Sequence, residues 1–340
     1  MKTSLRLNLD RREFLAYMST VAAASMFGRS GLARAEPAPE VKKIRLVNVA
    51  VTCIAPLYVA EELLRLEGFS DVEYVERPTD SATGPGMLGK GEADLSMWDV
   101  MNTIAQIDEG SPIVVLAGVH AGCFELFGSD RVKTIRDLKG KTVAVTALRN
   151  ADHMLIASML GYVGLNPEKD VNWLPVGLKR AMELFLEGKS DAFMGFAPQP
   201  QELRMRKFGH VIVNTAQDRP WSQYFCCTIS ANRDFAMRNP VATKRALRAI
   251  LKAADICSRE PERVARYLAA KGYEPRYELG LEILKMLPYD RWRQANPEDT
   301  IRFQSLRLRE AGLLKLDPAQ IIARGTDWRF LNELKKELRG

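Results

Sequence analysis

The feature that most constrains the fold is an alternation of strand and helix patterns along most of the chain. Ile44–Val51 is apolar and rich in β-branched residues, as buried strands are, and Ala55–Leu66 has the apolar spacing of a helix. The same alternation restarts over residues 142–214, and after one more strand at 225–230 only helix patterns follow. The alternation predicts an α/β fold with mostly parallel sheets and extra C-terminal helices.

The two series of elements contain similar segments. Leu88–Asp99 and Leu186–Ala197 both show a helix end, a Gly/Lys stop, an aspartate, a buried strand and then a loop. In a parallel sheet such a loop lies at the carboxyl edge, where open α/β folds bind ligands. The pattern predicts two loops that face each other across a cleft. The succession of helix, glycine and strand is also common in unrelated α/β proteins, so both interpretations stay open.

The N-terminal segment has the pattern of a bacterial twin-arginine export signal. Arg11-Arg12 is followed by Phe-Leu, an apolar stretch rich in alanine, and small residues at Ala33 and Ala35. The alternative is a basic N-terminal helix on a cytoplasmic protein. The ordered features favour export, with residues 1–35 removed near Ala35 and the remaining protein in the periplasm.

The same segment predicts no lasting membrane attachment. Its apolar run is about ten residues, which is too short to span a bilayer. No cysteine lies in residues 1–51, so a lipid anchor is not expected.

The charge of the chain argues against nucleic acid as a partner. The net charge is +7, but six of the 49 Lys and Arg and two of the 42 Asp and Glu lie in residues 1–35, so the remainder carries +3. No basic run is interleaved with aromatic residues, as nucleic-acid surfaces require.

The cysteines and histidines form no local metal motif. Five cysteines and three histidines are present, with no CxxC, no CxxCH and no histidine-rich spacing. This spacing predicts no metal site and no cofactor. Cys226 and Cys227 are adjacent in a predicted strand, so their side chains are expected on opposite faces, as small apolar residues.

Several segments in a fixed order resemble a known family. Gly89–Asp94, Asp137–Val145, His153 in the helix that follows, and residues 164–192 and 230–240 match the periplasmic solute-binding proteins of ABC importers. The resemblance is to the nitrate, sulfonate, taurine and thiamine-precursor (NMT1/THI5-like) group and covers roughly residues 43–270.

The resemblance implies a two-lobed periplasmic-binding-protein fold of type II with two crossovers, a ligand in the cleft and hinge closure. Residues 41–122 and 225–340 would form lobe 1 with the C-terminal helices, and residues 124–222 would form lobe 2. A small-molecule ligand and the membrane permease of an ABC importer are the implied partners.

Candidate ligand-binding residues of the first lobe follow predicted strands, and each has a structural alternative. Thr52 and Cys53 face ligand with backbone amides or form an ordinary turn. Ser81 and Thr83 bind ligand oxygens or cap a short helix. Trp98 and Asp99 offer an aromatic wall and a carboxylate, or a packed ring and a helix cap.

The second half offers further candidates. Either Asn150 or Asp152 is expected to cap the helix that follows, which leaves Arg149 or His153 free to contact ligand. Two aromatic loops are expected to stack on ligand or to pack beneath the hinge; they contain Phe196 and Tyr224.

A related fungal enzyme that makes the thiamine pyrimidine carries a cysteine-rich stretch at the position of Cys226-Cys227. The resemblance implies a sacrificial catalyst that uses pyridoxal phosphate and iron. Its active site draws on a lysine and a histidine near the first helix, and residues 49–57 contain neither. The sequence therefore favours a non-enzymatic solute-binding protein that captures a small organic or oxyanion solute. The alternative is a periplasmic enzyme or ligand sensor on the same fold.

Overall fold

The protein is described by a computed structural model over residues 36–49, 51–78 and 83–338. The predicted export signal and Ser81 lie outside the described residues. Within these ranges, no helix combines the length and the apolar character needed to cross a bilayer.

Ten strands form two mixed sheets of five strands each. Their order is β2-β1-β3-β10-β4 in the first sheet and β7-β6-β8-β5-β9 in the second, where the strands are β1 (Lys43–Val47), β2 (Asp71–Val75), β3 (Leu95–Asp99), β4 (Ile113–Ala121), β5 (Phe124–Gly128), β6 (Thr142–Val145), β7 (Asn172–Pro175), β8 (Ala192–Phe196), β9 (His210–Asn214) and β10 (Phe225–Asn232).

One strand in each sheet runs against the other four. β10 pairs antiparallel with β3 and β4, and β5 pairs antiparallel with β8 and β9, whereas β1, β2 and β3 and likewise β6, β7 and β8 are parallel. The prediction of mostly parallel sheets is therefore confirmed for strand direction. Alternation alone does not reveal the reversed strand of each sheet.

The chain passes between the two sheets twice. The first crossover is Gly122-Cys123, between β4 and β5, and the second is residues 215–224, between β9 and β10. The two crossovers agree with the fold that the resemblance implies, and the architecture is that of a two-lobed periplasmic binding protein. The lobe boundaries drawn from the sequence stay a prediction.

The described helices surround the two sheets, and the first of them matches the helix predicted over residues 55–66. They are α1 (Ala55–Leu66), α2 (Gly84–Gly89), α3 (Val100–Asp108), α4 (Ala151–Tyr162), α5 (Leu178–Leu186), α6 (Gln199–Met205), α7 (Arg233–Arg238), α8 (Pro240–Arg259), α9 (Pro261–Lys271), α10 (Tyr277–Met286), α11 (Pro297–Glu310), α12 (Pro318–Gly325) and α13 (Arg329–Glu337).

The strands are buried because helices cover their faces. All nine residues of β4 are buried, and its run IVVLAGVHA is the continuous apolar pattern of a strand covered on both faces. The predicted strand at 44–51 ends earlier, at Val47, and a short turn of helix at Thr52–Ile54 precedes α1.

The C-terminal helices connect the lobes rather than extending one of them alone. α11 packs against α4 beside the second sheet and also against α3 beside the first. This placement brings residues near position 300 to the cleft.

Candidate ligand-binding cleft

A small cavity lies between the lobes, beside both crossovers. Its volume is about 30 Å³, which is room for one or two water molecules, so the lobes are closed on each other. Residues from both lobes, both crossovers and α11 form its walls: Asp99, Val100, Met101, Gly122, Phe124, Leu155, Thr215, Trp221, Tyr224, Phe225, Cys226 and Gln304.

Asp99 is a helix cap and also a wall of this cavity. It ends β3, and its Oδ1 accepts a hydrogen bond from the Asn102 backbone N–H at 2.9 Å, which caps α3. Burial raises the pKa of the Asp99 carboxyl to about 6, against the hydrogen bonds that Asn102 donates, and the nearby Asp152 carboxylate raises it further. Asp99 is thus the predicted helix cap, and its role in ligand binding stays a prediction.

Polar contacts around α3 help to join the first lobe to the second. Asn102 Nδ2 donates to Asp99 Oδ2 at 2.8 Å and to Asn150 Oδ1 at 3.1 Å, and Asn150 caps α4 through the Ala151 N–H. The Arg149 guanidinium lies 3.9 Å from the Glu109 carboxylate, where both groups are exposed. Asn150 is therefore a helix cap that also reaches the opposite lobe.

Asp152 and His153 are buried behind the cleft. Asp152 Oδ2 accepts from the Thr146 N–H at 2.5 Å, and its Oδ1 has no partner among the described residues. His153 Nδ1 accepts from the Arg149 N–H at 3.2 Å, and its ring meets the Trp173 ring edge-on with centroids 4.5 Å apart. Burial, with the charge of Arg149, lowers the pKa of His153 to about 4.

Aromatic rings form one wall of the cavity. Tyr224 stacks on Phe303 of α11, with centroids 4.0 Å apart and planes 10° from parallel. Phe124 meets Phe196 edge-on at 5.6 Å. Tyr224 lines the cavity, and Phe196 contacts the Phe124 ring; their predicted contacts with ligand stay predictions.

Three predicted residues of the first lobe lie away from this cavity. Thr52 is buried, with its hydroxyl 3.5 Å from Glu274, and Thr83 caps α2 through the Gly86 N–H at 3.2 Å. Trp98 packs over Gly84 and beneath the Arg77 guanidinium. Their roles in binding stay predictions.

Cys53 belongs to a buried cluster of cysteines beside the cleft. Its sulfur, a ring nitrogen of His120 and the Cys227 sulfur all lie within 4.8 Å of one another, as do the sulfurs of Cys123, Cys226 and Cys227. The expectation that Cys226 and Cys227 point to opposite faces is wrong. The register of β10 against β4 shifts on both sides of Cys227, and this irregularity lets both sulfurs approach Cys123.

Sequence comparison identifies the family. The family model described as NMT1/THI5 like matches residues 52–264, which is more than half of the chain. The chain belongs to the NMT1/THI5-like family.

Solved structures similar to this NMT1/THI5-like protein share its fold. The periplasmic nitrate-binding protein NrtA from Synechocystis PCC 6803 aligns with a TM-score of 0.72 and 19% identity, over 89% of this chain and 90% of that one. The periplasmic aliphatic sulphonate-binding protein SsuA from Escherichia coli aligns with a TM-score of 0.67 and 21% identity, over 83% and 92% of the two chains.

Curated relatives of this family member include yeast synthases. The 4-amino-5-hydroxymethyl-2-methylpyrimidine phosphate synthase THI13 of Saccharomyces cerevisiae is 25% identical over 205 residues. The match covers 56% of this chain and 59% of the yeast protein. The chain thus spans little more than half the length of this curated relative.

The cavity of this NMT1/THI5-like protein does not fit pyridoxal phosphate, which the resemblance to the fungal enzyme implies. That group is held through a Schiff base with a lysine. No lysine is among the described residues that line the cavity, and α1 contains none.

Sequence reasoning missed several residues of the cleft in this family member. Thr215 is buried at the second crossover, and its hydroxyl accepts from the Phe124 N–H at 3.1 Å and donates to the Phe124 carbonyl at 2.8 Å. Thr215 follows a predicted strand, and this position could have identified it as a cleft residue. No sequence feature marks Gln304 as a cleft residue, because it lies on a helix far along the chain that only the tertiary fold brings to the cleft.

Proposed function

We propose that this protein is a solute-binding protein that captures a small solute between its lobes and presents the closed form to the membrane permease of an ABC importer. The observation that carries the proposal is the cavity at the two crossovers, whose walls come from both lobes. A ligand that contacts both lobes binds the closed form better than the open one and therefore drives closure.

The wall chemistry favours a flat solute that is positively charged or rich in N–H donors. Asp99 supplies a carboxylate, the unpartnered Oδ1 of Asp152 is buried nearby, and Phe124 and Tyr224 supply ring faces. None of the described residues that line the cavity is basic. A nitrate or sulfonate would meet acidic groups here without a compensating cation, so we propose a solute unlike those named for NrtA and SsuA.

We further propose that the protein performs no reaction. Cys226 is the one thiol among the described cavity-lining residues, and neither histidine nor lysine stands beside it there. An enzymatic function remains the second candidate, because the curated yeast relatives are synthases. Conversion of a bound pyrimidine by the purified protein would favour that candidate.

We place the protein in the periplasm. The twin-arginine pattern at Arg11-Arg12 supports export, and NrtA and SsuA are named as periplasmic proteins.

A thermal-shift screen over pyrimidines, aromatic amines, polyamines, sulfonates and nitrate tests the proposed function. A ligand at 100 times its Kd adds about 2.7 kcal/mol to the free energy of unfolding. We expect an amine or pyrimidine to raise the Tm and to bind by calorimetry. Asp99→Asn and Tyr224→Ala are expected to weaken that binding at least tenfold. Tyr277→Ala, at the start of α10 and absent from the cavity wall, is the matched control.

Two results would contradict the proposal. One is a preference for nitrate or sulfonate over every cationic or N–H-rich compound, which would reject the proposed solute class. The other is the absence of any thermal shift across the screen together with unchanged small-angle scattering, which would reject solute capture by lobe closure.

A further inference from the structure

The fold brings four thiols and one imidazole into one cluster beside the two crossovers. Cys53 follows β1, His120 and Cys123 lie at the end of β4 and in the first crossover, and Cys226 and Cys227 open β10. These elements meet at one edge of the first sheet because β10 runs antiparallel to its neighbours β3 and β4. Residues separated by up to 174 positions thus share one small volume.

The distances suit a metal ion. When three ligand atoms lie within 4.8 Å of one another, a central point exists that is no more than about 2.8 Å from each of them. If each ligand atom moves about 0.5 Å toward that point, it reaches the usual zinc–sulfur distance of about 2.3 Å. Cys227 belongs to both groups of three, so Cys123 of the second group lies within 4.8 Å of one ligand of the first.

The orientation of His120 suits a ligand. Its Nδ1 lies 3.0 Å from the Gly122 carbonyl oxygen, and a carbonyl can only accept, so Nδ1 carries the proton. Nε2 is buried and has no hydrogen-bond partner among the described residues. A backbone carbonyl that fixes the tautomer of the ring is the usual arrangement behind a metal-binding histidine.

We propose that Cys53, Cys123, Cys227 and His120 form a tetrahedral site for one thiophilic metal ion with a filled d shell, Zn²⁺ or Cu⁺. Three thiolates and one imidazole are soft donors of the kind that select these ions. The ligand set comes from three separate parts of the chain. It therefore extends beyond the paired cysteines of β10, and it explains why the spacing along the sequence shows no metal motif.

The surroundings enclose the site on one side and open it on the other. Tyr289, which is fully buried, packs edge-on against His120 with centroids 5.2 Å apart, and its hydroxyl donates to the Cys53 carbonyl at 2.9 Å. Cys226 is half-buried, lines the cleft cavity and has its sulfur 2.8 Å from that of Cys123. Cys226 therefore stands on the path by which an ion from the cleft reaches the inner ligands.

Metal titration of the full chain, isolated without oxygen and treated with a chelator, tests the site. We expect one Zn²⁺ per chain in competition with a chromophoric chelator, and an X-ray absorption shell of three sulfurs and one nitrogen. Cys227→Ser is expected to weaken Zn²⁺ binding at least 100-fold, and His120→Gln 10- to 100-fold.

Two further variants separate loss of a ligand from loss of folding. Cys257→Ser changes a fully buried cysteine of α8 that lies outside the cluster, and we expect it to bind Zn²⁺ as the wild type does. Cys226→Ser is expected to change the affinity less than threefold, because Cys226 is not among the four ligands. Circular dichroism of each metal-free variant checks the fold.

Four results would overturn the proposal. They are less than one tenth of a Zn²⁺ or Cu⁺ per wild-type chain, equal losses in Cys257→Ser and Cys227→Ser, preferential binding of Fe²⁺ over Zn²⁺, and a Cys123–Cys226 disulfide in the freshly isolated protein. The last would make the pair a redox couple instead of part of a metal site. None of these measurements depends on solute binding.

Discussion

Asn102 and Asn150 join the two lobes through a hydrogen bond of 3.1 Å between their side-chain amides. Each residue is anchored in its own lobe, Asn102 by a second hydrogen bond to Asp99 and Asn150 as the cap of α4. Because both anchors are helix N-termini, the bond joins rigid elements. It forms only while the lobes are closed.

We predict that Asn150→Ser favours the open form without destabilising α4. Serine caps a helix about as well as asparagine but is too short to reach Asn102. The loss of the contact between the lobes is expected to weaken solute binding by ~1 kcal/mol. Calorimetry with the solute and small-angle scattering without it measure the two effects. Asn172→Ala, on the exposed edge of the second lobe, is the control; an equal loss in both variants would contradict the prediction.

The Asp99 carboxyl is expected to give stability a pH dependence of known sign. Its pKa is raised from 3.8 to about 6, so the folded state binds more protons than the unfolded state between these values. Stability from this group therefore falls as pH rises from about 4 to 6 and stays low above that range. The free energy of unfolding of Asp99→Asn, measured relative to wild type, is expected to rise by ~1–3 kcal/mol from pH 4 to pH 7.5. Urea unfolding at both pH values measures this change, and a constant difference would contradict it.

His153 is expected to give stability a pH dependence of the opposite sign. Its pKa is lowered from 6.5 to about 4, so the unfolded state binds more protons within that window. Stability is therefore lost as pH falls from about 6.5 to 4. His153→Gln keeps an acceptor for the Arg149 N–H but does not titrate, so it is expected to reduce the acid loss by ~1–3 kcal/mol. Thermal unfolding of both proteins at pH 7 and pH 4.5 tests this, and parallel losses would argue against it.

The first crossover leaves no room for a side chain at Gly122. Its φ is +67°, and an added Cβ would lie 2.3 Å from the Ala216 Cα in the second crossover. Gly122→Ala is expected to lower the free energy of unfolding by at least ~3 kcal/mol, because backbone strain and a backbone clash both contribute. Gly110 has a φ of +88°, but an added Cβ would lie in open space. Gly110→Ala is therefore expected to lower the free energy of unfolding by only ~1–2 kcal/mol. Chemical denaturation compares the two, and similar costs would show that the crossovers move apart easily.

Export is tested at the N-terminus. Arg11-Arg12→Lys-Lys keeps both charges but removes the guanidinium groups, and it is expected to abolish delivery through the twin-arginine route. Immunoblots of periplasmic and cytoplasmic fractions measure the distribution. Normal periplasmic amounts of the variant would rule out the signal assignment.

The fold could be predicted largely from local patterns. The segment at 55–66 was predicted as a helix and is one, and the strand run of β4 has a continuous apolar pattern because helices cover both faces. Local patterns could not show that β10 is the reversed strand of the first sheet. Pairing direction depends on which strands the long connections bring together.

The candidate site was predictable where a residue follows a strand. Asp99 and Asn150 were predicted because strand-end loops of parallel sheets meet at one edge, and their capping roles follow from local spacing. Gln304 and Phe303 gave no such signal, because α11 reaches the cleft only through packing against α3 and α4.

The sequence by itself determined the helices and strands and the loops at their ends, because hydrophobic period and capping residues act over a few positions. Only the tertiary structure decided that Cys53, His120 and Cys227 meet. Their convergence requires three distant segments to end at one sheet edge, and a local irregularity in β10 to turn two adjacent sulfurs toward Cys123. Neither condition leaves a mark on residue spacing, because contacts between distant segments are set by the packing of whole elements.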